Sequence, residues 1–206
     1  MSYIKDYNYD LLKEVIYLNN FKEPIDWKNL FKNHNPIAVE IGCGNGHFLI
    51  NKSKQNPYFN YIGIDIKEKR IIRCREKELK YNINNIKWIC EDGFMALNNL
   101  FENDVISKIY MTFPDPWPKN KHHKNRLFKK EFVDLIYDKL ANNGIFIFIT
   151  DYKEYFDECI DLASKDERFN LLNNLFIFEP ELKNSLFGKK WEKDNRNFYS
   201  FCIVKK

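Results

Sequence analysis

Apolar positions in this chain come in short blocks that switch repeatedly between a strand-like and a helix-like period. Ile37 to Ile41 is a continuous apolar run interrupted only by Glu40, the pattern of a strand buried on both faces. After a glycine-rich turn, Phe48, Leu49 and Lys52 open a helix that stops before Pro57. Tyr61 to Asp65 predicts a second strand, and Ile71, Ile72, Arg75 and Leu79 give Glu68 to Tyr81 a helical period. Ile86 to Cys90 is a third strand with a helix over Phe94 to Phe101, and Lys108 to Met111 is a fourth strand. Phe128, Phe132, Leu135, Ile136 and Leu140 line one face of a helix that the Asn142-Asn143-Gly144 turn is expected to end. Ile145 to Ile149 is a fifth strand, and Thr150-Asp151 starts a helix with Phe156, Cys159, Ile160 and Ala163 turned inward. Leu171 to Phe178 and Phe198 to Val204 read as a closing pair of strands with an antiparallel member.

Five alternations of strand and helix predict an α/β, doubly wound, Rossmann-like sheet, mostly parallel, with an antiparallel C-terminal strand. Pro36 opens this domain, expected over residues 36–206. Residues 1–35 are rich in Tyr, Asn and Lys and are expected to form an N-terminal extension without an assigned role. Leu11, Leu12, Val15, Ile16 and Leu18 within it predict one short amphipathic helix.

In such sheets ligands lie at the carboxyl ends of the strands, near the point where strand order reverses. The turn Gly42 to Gly46, Asp65, Asp92, Asp115 and Asp151 all fall at such ends, so five loops are expected to face one cleft. Glycine in the first turn lets backbone approach a ligand closely. A dinucleotide fingerprint would need a third glycine at position 47, where the chain has His47, which disfavours a nicotinamide cofactor. Asp65 is placed for a ribose diol and Asp92 for an adenine amine, although either acid taken singly is equally well a helix cap or turn residue. Carboxylates without a cationic phosphate clamp suit a ligand with ribose and adenine that carries positive charge in place of pyrophosphate. S-adenosylmethionine meets that description.

The stretch Thr112 to Leu127 changes the picture most. Pro114, Pro116 and Pro118 rule out helix or central strand and hold a stiff loop at a strand end. Asp115 and Trp117 alternate with them, which suits a pocket where a flat heterocycle is hydrogen-bonded by the acid and covered by the indole. Lys119, Lys121, Lys124, Arg126, Lys129 and Lys130 follow, with His122 and His123 among them. Net charge over the 206 residues is only +4, so an anionic partner would be met by this local patch. Adjacent histidines point in different directions and lack companion ligands, so no metal is expected. Cys43, Cys74, Cys90, Cys159 and Cys202 are scattered, odd in number and without Cys-x-x-Cys spacing, which argues against disulfides or zinc and for a reducing compartment. With no apolar signal core and no run near the ~20 residues of a membrane span, the expectation is a cytoplasmic protein with no membrane contact.

Taken together, Val39 to Gly46, Gly63-Ile64-Asp65, Glu91-Asp92-Gly93, Phe113 to Lys119 with Lys121-His122-His123-Lys124 behind it, and Thr150-Asp151 resemble the bacterial tRNA (guanine-N7-)-methyltransferase family. The first of these motifs are common to class I methyltransferases, whereas the Asp-Pro-Trp-Pro-Lys loop with its His/Lys tail is specific. The resemblance implies S-adenosylmethionine contacts from Glu40, Gly42, Gly44, Asp65, Asp92 and Asp115, with Asp115 also catalytic. It implies substrate contacts from Lys119, Asp151, Ser185, Phe187 and Gly188. RNA contacts would come from Lys121, His122, His123, Lys124, Asn125 and Arg126, and the target would be guanine 46 of the tRNA variable loop. No obligatory protein partner is expected, and the chain would act as a monomer or homodimer. One departure stands out: where the family has Thr-x-Phe/Tyr-Glu, this chain has Ser185-Leu186-Phe187-Gly188, and Gly188 cannot replace a carboxylate.

Two other readings compete. An amino-group methyltransferase acting on a base or on glutamine uses a related Pro-Pro-aromatic loop at the same strand end, but Asp115 between Pro114 and Pro116 argues against it. A non-catalytic RNA-binding protein could share the fold, and the Glu40, Gly42 to Gly46, Asp65 and Asp92 set speaks against that.

Overall fold

The computed structural model describes residues 7–172 and 197–206. Their strands are β1 (Ile37–Ile41), β2 (Asn60–Ile64), β3 (Ile86–Ile89), β4 (Ile106–Thr112), β5 (Leu140–Thr150), β6 (Phe169–Leu172) and β7 (Tyr199–Lys205), joined in one sheet of order β3-β2-β1-β4-β5-β7-β6. The first five pair in parallel, while β7 runs antiparallel to both β5 and β6. Six helices accompany them: α1 (Trp27–Phe31), α2 (His47–Gln55), α3 (Glu68–Lys80), α4 (Gly93–Leu100), α5 (Lys130–Lys139) and α6 (Lys153–Ser164). Strand order reverses between β1 and β4, so the crevice at their carboxyl ends is the topological switch point.

Alternate strand residues feed two separate cores. Val39, Ile41, Ile62, Ile64, Ile109, Met111, Phe146 and Phe148 meet Leu97, Leu100, Phe132, Ile136 and Tyr155 of α4, α5 and α6. On the other face, Ala38, Tyr61, Trp88, Tyr110 and Ile147 meet Leu49, Ile71 and Cys74 of α2 and α3. This is why the strands read as nearly unbroken apolar runs rather than as alternations. Trp88 is almost fully buried in the second core and donates its indole N–H to Glu78 at 2.6 Å. Gly63, on the neighbouring strand, gives the ring its room: a Cβ there would lie 2.4 Å from Trp88 Cζ3.

Three local features bear on these expectations. The residues expected to make an N-terminal amphipathic helix form 3-10 turns at Tyr9–Glu14 and Leu18–Asn20, with an extended piece between them. Ile16 in that piece bridges β3 in parallel, taking the Cys90 N–H and donating to the Trp88 carbonyl, both at 2.9 Å. Pairing with an open strand edge wins over local helix propensity because each bond satisfies a backbone group that burial would otherwise orphan. Secondly, Ile25 and Trp27, both ahead of residue 36, are buried in the first core, and the Trp27 ring stacks on Phe101 at 4.8 Å. Thirdly, α5 stops at Lys139, and Asn142-Asn143-Gly144 sit in a bulge of β5 rather than in a turn closing the helix. Leu140 pairs with Ile106 and Ile145 with Lys108, so the bulge absorbs the residues between. The strand expected over Leu171 to Phe178 is seen to Leu172, and its remainder lies outside the described residues.

Among the described residues no helix is long and apolar enough to cross a membrane. A cavity of about 500 Å³, lined in part by Asp26, Trp27, His34, Glu102 and Asp104, opens near the amino ends of β1 and β4, away from the cleft.

Because the Trp88 ring cannot shift far in a filled core, Gly63→Ala is expected to lose about 1–3 kcal/mol of stability by overpacking. Urea unfolding monitored by circular dichroism checks this, and an unchanged midpoint would show that Trp88 repacks freely.

Candidate active site

Glu40 lies inside β1 on the face of Ala38, 2% exposed. Its Oε1 accepts the Thr112 hydroxyl at 2.7 Å, while Oε2 is buried without a partner. Burial pushes this carboxyl up to about 8; the Thr112 hydrogen bond opposes the rise and the nearby Asp65 carboxylate adds to it. Thr112, at the carboxyl end of β4, was not singled out in the sequence, where a lone threonine ahead of three prolines gives little sign of whom it meets.

The loop after β1 carries Gly42 and Gly44 at φ of 72° and 57°, and nothing lies within 4 Å of where their Cβ atoms would be. The loop is therefore held left-handed around open space, a conformation that favours glycine. Asn45 in the same loop has a buried side-chain oxygen without a partner. Two buried oxygens without partners, Glu40 Oε2 and Asn45 Oδ1, thus lie in the same stretch as these glycines. A buried carboxyl that can ionise beside a cation, with an amide oxygen that lacks a donor, fits a ligand presenting cationic or N–H groups better than one presenting phosphate.

Asp65 follows β2 and is 4% exposed. It accepts the Gly44 N–H at 3.0 Å, the Lys67 N–H at 2.9 Å and the Arg70 guanidinium at 3.2 Å. The acid expected to meet ribose thus also staples the glycine loop to the β2–α3 turn. Asp92 is the N-cap of α4, its Oδ1 accepting from Phe94 and Met95 at 2.9 and 3.1 Å. The capping role weighed for Asp92 in the sequence is therefore present.

Beyond β4 the chain enters the proline loop, where Phe113 and Trp117 take φ of 52° and 45°. Bulky residues in the left-handed region persist only when their surroundings hold them there. The Phe113 N–H reaches the Ile149 carbonyl at 2.7 Å, so the β4–β5 ladder runs on into the loop. Asp115 is exposed and takes no hydrogen bond among the described residues, whereas Trp117 is half-buried with its ring edge-on to His122 at 5.8 Å and 86°. Residues 120–125 make a 3-10 turn that carries Lys121, Lys124 and Asn125 exposed. Lys119, also exposed, caps that turn.

Arg126 is turned into the protein. It is 3% exposed and does not reach outward. Nε donates to the Pro116 carbonyl at 2.8 Å, Nη1 to Glu158 at 2.5 Å and Nη2 to Glu154 at 3.4 Å, with the Tyr155 ring 5.0 Å away. Burial opposes its charge, but the two carboxylates more than offset this and hold the guanidinium above its ordinary range. Arg126, expected as an RNA contact, thus has three of its five N–H donors engaged inside the protein. His123 sits beside the same carboxylates, 3.5 Å from Glu154 and 3.9 Å from Glu158. These three side chains are close enough to share a cation, and the guanidinium already lies against both acids. Asp151 follows β5, half-buried, just ahead of α6. Ser185, Phe187 and Gly188 lie outside the described residues.

A family model described as "Putative methyltransferase" matches residues 34–201. A tRNA (guanine-N(7)-)-methyltransferase of Actinobacillus pleuropneumoniae serotype 5b (strain L20) is 31% identical over 186 residues, covering 87% of this chain and 74% of that protein. One from Streptococcus pneumoniae (strain 70585) is 40% identical over 144 residues, covering 70% of this chain and 68% of that protein. Among solved structures, the 16S rRNA methyltransferase KamB superposes with a TM-score of 0.60 at 11% identity over 89% of this chain and 94% of that one, a likeness of fold.

The raised Glu40 carboxyl has a stability signature. Burial favours the protonated carboxyl in the folded protein up to about pH 8, whereas an unfolded glutamic acid loses its proton near pH 4.5. Wild-type stability is therefore expected to fall relative to Glu40→Gln as pH rises from 5 to 8, by about 1.4 kcal/mol per unit at the steepest, and to level off above. Urea titrations of both proteins across that range test it; parallel pH profiles would show that Glu40 titrates normally.

Proposed function

This chain belongs to the tRNA (guanine-N(7)-)-methyltransferase family, and from that premise we propose that it methylates N7 of guanine 46 in the tRNA variable loop, with S-adenosyl-L-methionine as donor. The products would be 7-methylguanosine and S-adenosylhomocysteine. The observation that carries the reading is the β1–β4 switch point: the glycine loop and the buried, unpartnered Glu40 Oε2 belong to the carboxyl end of β1, and the proline loop bearing Asp115 and Trp117 leaves the carboxyl end of the adjacent β4. Five free, buried thiols are in keeping with a reaction in the reducing cytoplasm.

In this reading Gly42 and Gly44 let backbone approach the donor, and Glu40 receives its cationic amino group, releasing the carboxyl proton to solvent as it ionises. Asp65 holds the cradle in shape and faces the ribose, and Asp92 contributes from the adenine side while capping α4. When bound, S-adenosylmethionine supplies a methyl group on a sulfonium sulfur that leaves as a neutral thioether. Guanine N7 carries an in-plane lone pair and no proton, so the protein needs no general base. Its task is alignment. Asp115 accepts hydrogen bonds from the guanine Watson-Crick edge and favours the positive charge that develops on the ring as N7 is alkylated. Trp117 covers the base, Lys119 and Asp151 contact the nucleotide, and Ser185 and Phe187 would contribute a further contact, Gly188 leaving the family's carboxylate unreplaced. Lys121 and Lys124, with the neighbouring His122, His123 and Asn125, meet the RNA backbone.

The direct test is incubation with labelled donor and bulk tRNA followed by nucleoside analysis; label absent from 7-methylguanosine would end the proposal. Asp115→Asn keeps shape and removes charge, and is expected to lower kcat roughly 10²-fold. Unchanged turnover would remove Asp115 from the chemistry. Lys121→Ala and Lys124→Ala are each expected to reduce the slope of log affinity against log salt by about one unit. An unaltered slope would return those lysines to ordinary surface.

A further inference from the structure

A loop that must hold two bulky residues at positive φ and aim an acid between them needs an anchor. Prolines alone do not supply one: they fix their own φ but leave the ψ angles and the neighbouring peptide planes free. The peptide between Pro116 and Trp117 is the sensitive one. Its plane is set by ψ of Pro116 and φ of Trp117, and that φ is 45°. Its carbonyl oxygen accepts the Arg126 Nε–H at 2.8 Å. The same guanidinium is clamped by Glu158 and Glu154, one turn apart on α6, and covered by the Tyr155 ring. Tyr155, itself 1% exposed, also takes the Phe128 N–H at 3.2 Å, so the loop's exit is tied to the same helix.

We propose that Arg126 is a positioning residue for methyl transfer. Its buried guanidinium ties the peptide between Asp115 and the Trp117 ring to α6, so that acid and indole are presented together. This inference rests on Asp115 and Trp117 belonging to the active site. Chemistry explains why arginine serves here. One planar group offers Nε–H along one edge and two Nη groups along another, so it bonds a carbonyl and two carboxylates at once, which a lysine ammonium cannot do in the same geometry. The two acids neutralise a charge that burial would otherwise make costly.

The experiment compares Arg126→Lys, Arg126→Ala and Glu158→Gln with wild type in three measurements. In steady-state kinetics, Arg126→Lys is expected to lower kcat 10-fold or more with little change in KM for the methyl donor, and Glu158→Gln to lower it several-fold. The tRNA salt slope is expected to stay at the wild-type value, in contrast to the two lysine variants, because Arg126 touches no phosphate. Added guanidinium ion at millimolar concentration is expected to restore part of the Arg126→Ala turnover by refilling the site. Amide hydrogen exchange at Phe113 and Phe128, whose N–H groups bond the Ile149 carbonyl and the Tyr155 hydroxyl at the two ends of the loop, is expected to quicken at least 10-fold in Arg126→Lys. A kcat within twofold of wild type in both Arg126→Lys and Glu158→Gln, a salt slope that falls by a unit, or exchange that does not change would each overturn the inference. Should wild type make no 7-methylguanosine, the functional reading falls instead, while the exchange measurement still decides whether Arg126 holds the loop. If Arg126→Ala fails to fold, Glu158→Gln, altered at a half-exposed position, decides the kinetic arm.

Discussion

The arrangement depends first on the parallel pairing of β1 between β2 and β4. Register sets Glu40 opposite Gly63 on one side and Tyr110 on the other, so the carboxyl ends of three strands emerge side by side. A parallel ladder gives all these ends one direction, and the reversal of strand order between β1 and β4 opens a crevice where they emerge. Asp65 then reaches back to the Gly44 N–H, and Thr112 across to Glu40, because adjacent parallel strands bring those positions within hydrogen-bond range. In an antiparallel sheet the same residues would be divided between two edges, and neither bond could form.

Much of this was legible in the sequence, for a physical reason. Strands buried on both faces are written as short apolar runs, and helices covering them as a 3.6-residue period; β1 to β5 and α2 to α6 follow from that alone, mostly within two residues of their ends. Where pattern and structure part, tertiary pairing is the cause. Val15 and Ile16 look like one side of a helix, but a free strand edge at β3 claims them. Asn142-Asn143-Gly144 looks like a stop, but Leu140 already pairs with Ile106, so the polar triplet becomes a bulge within the strand.

The site was legible in location more than in detail. Glycines and acids at strand ends mark the cleft because backbone geometry and burial restrict what can stand there. Which oxygen of an acid is already engaged cannot be read from its neighbours in the chain. Asp65 has three donors of its own, Asp92 caps a helix, and Glu40 alone of the three keeps a buried oxygen unmatched. Arg126 shows the limit most clearly. In sequence it is one more cation in a basic run, and the acids that distinguish it from Lys121 and Lys124 stand about thirty residues downstream on α6. Glu154 and Glu158 at i and i+4 of a helix were a faint sign that something cationic would lie against that face.

The bridge made by Ile16 has a consequence unrelated to catalysis. A sheet with an uncovered outer strand presents unpaired N–H and C=O groups to any other extended chain, and natural proteins blunt such borders. Here the extended piece at Ile16 takes that place against β3, while residues close to the opposite end of the described chain, in β7, are flanked by β5 and β6. The early residues, silent about chemistry, thus act as a guard rail over part of that border, where Ile16 occupies the Trp88 carbonyl and the Cys90 N–H that another extended chain would need.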